Sequence, residues 1–114
     1  MKHDKTISEL TKNIKASFAQ YDSQGTKHWT WETAMRDLSY QVGSLSKVAL
    51  QLSGERFDEG KTSEQLQWQL RNELADIVAE VLYIAAELKI DMNEAMAEML
   101  ADDTKKITER TEQK

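Results

Sequence analysis

Residues 73–88 read Glu-Leu-Ala-Asp-Ile-Val-Ala-Glu-Val-Leu-Tyr-Ile-Ala-Ala-Glu-Leu. Apolar side chains occupy most of a helical circumference here, the pattern of a helix surrounded by protein on nearly every side. Upstream, Leu66 and Leu70 lead into the same stripe of Ile77, Val81, Ile84 and Leu88, and Thr62 with Gln65 offers a capping box. The stretch predicts one long central helix that other helices must cover, and so an all-α fold.

Outward from this centre, three more amphipathic segments can supply the cover. Ile7, Leu10, Ile14, Phe18 and Tyr21 recur at helical spacing after a possible Thr6/Glu9 box, and Asp22 to Gly25 closes that helix. Thr30 is a suitable N-cap for a second, whose stripe of Leu38, Val42, Leu45, Val48 or Ala49, and Leu52 stops at Ser53 and Gly54. Asp91, with Glu94 three residues on, can cap a fourth with Met92, Ala95, Met96, Met99 and Leu100 as its inner face. After Ala101 the chain turns polar, and residues 102–114 are expected to fray. No period-two pattern competes with this reading, so one domain over residues 1–114, an antiparallel bundle of about four helices, is expected.

Composition narrows the chemistry. The 114 residues contain no cysteine and two histidines, which excludes disulfides, thiolate zinc sites and cysteine nucleophiles; any metal must be held by oxygen. A net charge of −5 argues against nucleic acid as a partner, and the acidity is concentrated in residues 53–100, with eleven acids against four bases. No run is apolar enough for a signal peptide or a membrane span, so a cytoplasmic location without membrane contact is expected. A domain this small buries little of its own surface, which favours a homodimer or tetramer.

Glu73 interrupts the stripe of the long helix, where a core residue belongs, and an unpaired buried carboxylate is costly. Asp76 and Glu80 follow at three and seven residues, so the three acids share one face at neighbouring positions. Together they can hold a hard divalent cation, Mg²⁺ or Mn²⁺. Solvated acids on a helix surface are the plain alternative.

The run Asn72 to Val78, followed by Leu82 to Ala95 with its Lys89-Ile90-Asp91 turn, resembles the MazG-like all-α nucleoside triphosphate pyrophosphohydrolases over about residues 29–110. Glu73 and Asp76 match that family's E-x-x-D motif, and Lys105, Lys106 and Arg110 resemble the basic end of its last helix. Where the family carries E-E-x-x-E on the preceding helix, this chain has Tyr40, Gln41 and Ser44. The resemblance implies Mg²⁺-dependent conversion of a nucleoside triphosphate to monophosphate and pyrophosphate, with catalysis impaired by the missing acids. A non-catalytic bundle that binds a nucleotide or a protein on the same face is the alternative, and a structural module that neutralises Glu73 with Arg71 or a partner's lysine is a third.

Asp37 is a candidate replacement ligand, because Asp37, Gln41 and Ser44 fall at i, i+4 and i+7 on one face. Gln41 and Ser44 are candidate hydrogen-bonding groups for substrate. Trp29 and Trp31 either stack on a base, or one staples the helix start onto the bundle and the other caps a dimer; Trp68 is expected to pack on a neighbouring helix. His28 reads as a surface residue without a partner, and Lys105, Lys106 and Arg110 as either phosphate contacts or a solvated helix end.

Overall fold

The computed structural model describes residues 4–25 and 27–113; Met1 to His3, part of the N-terminus read for a signal peptide, lie outside them. Their regular structure is entirely helical, in the order α1 (Ile7–Ser23), α2 (Trp31–Leu52), α3 (Ser63–Glu87) and α4 (Met92–Glu112).

Each helix starts at the cap its sequence offers. Thr6 and Glu9 close a capping box on α1, and Thr62 and Gln65 close one on α3. In the latter, Thr62 Oγ1 accepts from the Gln65 N–H at 3.1 Å while Gln65 Oε1 accepts from the Thr62 N–H at 2.9 Å. Thr30 caps α2, and Asp91 accepts from the Asn93 and Glu94 N–H groups at the start of α4. Thr62→Ala is therefore expected to lower stability by about 1 kcal/mol, read as a lower thermal midpoint with helix content at low temperature unchanged.

The packed part consists of α2 and α3, an antiparallel pair, with α1 laid across α3. The loop joining the pair is held by Gln51, itself buried, whose Nε2 donates to Phe57 O at 3.1 Å and Glu59 Oε1 at 3.3 Å. Lys47 adds an ion pair to Glu59 at 2.7 Å. At the other end of the pair, fully buried Ala34 sits with Tyr83 and Ile84, and Ile14, Phe18, Trp29 and Trp31 pack around them. A methyl group at position 34 lets α2 approach the large Tyr83 ring without a void.

Several sequence expectations are corrected by this packing. α4 continues to Glu112, through the polar residues expected to fray, but its main contact with another helix is a slight one with α1, where Asn93 Nδ2 donates to Ser8 Oγ at 3.4 Å. Its expected inner face is not inner: no α4 residue is buried, and Met99 and Leu100 are 45% and 57% exposed. Amphipathic spacing marks a face that wants cover, and the described residues do not supply the cover. Trp68 likewise stands 63% exposed instead of packing on a helix. The radius of gyration, 18.0 Å, exceeds the roughly 13 Å of a compact chain of this length. Helix faces are left open, Leu74 and Val78 on the central helix among them.

Candidate functional site

A cleft of about 340 Å³ opens between α1, the start of α2 and the C-terminal half of α3. α3 forms its floor through Asp76, Ala79, Glu80 and Tyr83, spaced at i, i+3, i+4 and i+7 so that all four share one face. Asp37 and Gln41, one turn apart on α2, form the second wall, and Phe18, Tyr21 and Asp22 at the end of α1 form the third, with Trp29 at the entry to α2.

The aromatic side is one connected unit. Phe18 stacks on Tyr83 with centroids 4.3 Å apart and meets Trp29 edge-on at 6.0 Å. Tyr83 Oη donates to the carbonyl of Trp29 at 2.7 Å, tying the loop before α2 to α3. Burial, reinforced by the charges of Glu87 and Asp22, pushes the Tyr83 phenol above its usual range and keeps it a donor. Trp29 thus fills the stapling role and also lines the cleft. His28 has a partner after all: its Nδ1 lies 2.6 Å from Asp22 Oδ2, which orients a carboxylate at the rim.

The opposite side is acidic. Gln41 Nε2 donates to Asp37 Oδ2 at 3.2 Å. Glu80 is 5% exposed, and as a carboxylate its Oε2 is buried without a hydrogen-bond partner. Its pKa is pushed up to about 8, first by burial, then by the hydrogen bond its protonated form makes to Asp37, then by the charges of Asp37 and Asp76. Near neutral pH Glu80 therefore keeps its proton and donates it to the Asp37 carboxylate.

The structure brings Asp37, Gln41, Asp76, Glu80 and Trp29 to one cleft and leaves the other candidates outside it. Glu73 is half-buried one turn before Asp76, its Oε2 buried without a partner, and does not line the cleft. Ser44 is half-buried beyond its far end. Lys105, Lys106 and Arg110 are exposed on α4, and Lys106 pairs with Asp102 at 2.8 Å. Among the described residues no three His, Cys, Asp or Glu side chains converge closely enough to hold a metal ion.

Phe18, Tyr21, Asp22 and Tyr83 line the cleft in addition to the residues expected from the sequence. For Tyr83 the signal was present, since it stands seven residues from Asp76 and three from Glu80. For the α1 residues no local signal exists, because nothing in an amphipathic stripe says which helix it will lie against. Comparison of the chain with known protein families, curated proteins and solved structures finds no match.

Proposed function

We propose that the chain is a MazG-like nucleotide pyrophosphohydrolase with an altered acidic site, binding a nucleoside triphosphate with Mg²⁺ or Mn²⁺ and releasing pyrophosphate slowly. The observation that carries the reading is a cleft in which Asp37 and Gln41 of α2 face Asp76 and Glu80 of α3 beside an aromatic wall. The donor set suits a hard divalent cation: it is all oxygen, and Glu80 Oε2 is buried with no partner to satisfy it.

Asp37, Asp76 and Glu80 do not converge closely enough to hold an ion as they stand, so they would have to draw together around it, with Glu80 giving up its proton. A bound ion supplies charge neutralisation of phosphate and a more acidic water. Gln41 holds Asp37 in place through its amide and can offer its carbonyl to a ligand. Trp29 and Tyr21 present flat surface to a base at the cleft mouth, and the Asp22 carboxylate keeps free phosphate out unless a cation accompanies it. Gln41, Tyr40 and Ser44, standing where the family carries glutamates, leave fewer charges for the metal and account for slow turnover. A second copy of the chain is part of this reading, covering the open faces of α3 and α2 in a homodimer or dimer of dimers.

A second reading, a nucleotide-binding protein without catalysis, is favoured by the lack of three converging acidic groups among the described residues. One experiment separates them: pyrophosphate release from a panel of nucleoside triphosphates with Mg²⁺ or Mn²⁺, alongside thermal melting in the same mixtures. The enzyme reading expects metal-dependent release that falls at least about tenfold in Asp76→Asn. Stabilisation by metal and nucleotide without release supports the binder. Neither effect with any nucleotide overturns both.

A further inference from the structure

The cleft also has the chemistry of a receptor for organic cations. Phe18, Trp29 and Tyr83 present aromatic surface, Asp37, Asp76 and Glu80 present carboxylates, and among the described residues no Lys or Arg lines it. Aromatic rings attract cations through their electron-rich faces, most strongly where water is excluded. Glu80 adds the specific demand: it is 5% exposed, it lines the cleft, its partner there is another carboxyl, Asp37, and no N–H group reaches its buried Oε2. Such an oxygen gains most from a ligand that arrives with an N–H group. A primary ammonium has three such donors and a positive charge; a quaternary ammonium has the charge alone. At about 340 Å³ the cleft has room for a small ligand.

We propose that the cleft binds a primary alkylammonium ion, with its N–H groups on Glu80 and Asp37 and its alkyl chain against Phe18, Trp29 and Tyr83. This binding needs neither metal nor phosphate, so it stands independently of the nucleotide reading. A free aliphatic diamine and the side chain of a lysine share this chemistry.

The test titrates the full chain at about pH 9, where Glu80 is ionised and alkylamines are still mostly ammonium ions, with 1,4-diaminobutane, with Nα-acetyl-lysine methylamide and with tetramethylammonium, in buffer without metal or nucleotide, followed by calorimetry and tryptophan fluorescence. Saturable binding of at least one primary ammonium is expected, at least about tenfold tighter than tetramethylammonium and at least about tenfold weaker in Glu80→Gln. Tighter binding of the diamine identifies a free amine as the ligand, and tighter binding of the lysine analogue identifies a lysine side chain. The proposal is overturned if neither primary ammonium saturates below about 10 mM, or if tetramethylammonium binds equally well. Undiminished binding in a Glu80→Gln protein of normal helix content overturns it too. Should that variant not fold, the comparison of ammonium types on the wild type decides alone. Pyrophosphate release, measured separately, reports on the nucleotide reading whichever way this titration falls.

Discussion

Glu80→Gln is expected to raise the melting temperature at pH 8 by about 5 °C or more and to leave it nearly unchanged at pH 5. The reason lies in where the proton sits. Well below pH 4.5, the ordinary value of this carboxyl, it is protonated in folded and unfolded chains alike. Between that value and about 8 the folded chain keeps a proton that the unfolded chain has lost. Each rise in pH across this window therefore favours unfolding, by up to about 1.4 kcal/mol per unit. Above about 8 both states are ionised and the dependence from this group ends. Glutamine mimics the protonated acid at every pH, so the wild type should lose stability from pH 5 to 8 while the variant stays nearly flat. Because burial is the largest cause of the shift and Asp37 the next, Asp37→Asn should flatten the wild-type slope in part. Melting curves at pH 5, 6, 7 and 8 decide the matter, and parallel curves for wild type and Glu80→Gln would show that this carboxyl does not hold its proton in the folded chain.

Tyr83→Ala is expected to cost about 3–5 kcal/mol, enough to unfold much of a chain of ordinary stability. Tyr83 is 3% exposed, stacks on Phe18 of α1, packs with Ala34 of α2 and bonds the loop carbonyl of Trp29. One side chain thus joins three segments, and truncation leaves a cavity the backbone cannot close. Tyr83→Phe keeps the ring and removes the donor, so about 1 kcal/mol is expected. Urea unfolding measures both, and a Tyr83→Ala loss no larger than that of Tyr83→Phe would mean that the ring does not anchor α1.

Local signals decided the helices themselves. Thr6, Thr30, Thr62 and Asp91 are caps that can be read residue by residue, because a cap satisfies N–H groups within three positions of itself. Neighbours within one helix are legible where two residues share a face, as with Asp37 and Gln41 on α2 or Asp76 and Glu80 on α3. Burial was not. Glu73 interrupts the apolar stripe more visibly than Glu80, yet Glu80 is the more deeply buried. Which flank of α3 is covered depends on the angles at which α1 and α2 cross it, and periodicity carries no information on those angles. The exposed stripe of α4 makes the same point from the other side, since a hydrophobic face specifies a need and not the surface that meets it.

The attachment of α1 has a consequence for the cleft. One wall of the cleft belongs to α1, and α1 reaches the rest of the fold through Phe18 against Tyr83 and Trp29. The cavity therefore exists while the N-terminal helix is docked and vanishes when it lifts away. Docking and site assembly are a single equilibrium, so the fraction of molecules able to take up a ligand is the fraction with α1 in place, and an occupant slows the excursions that open it.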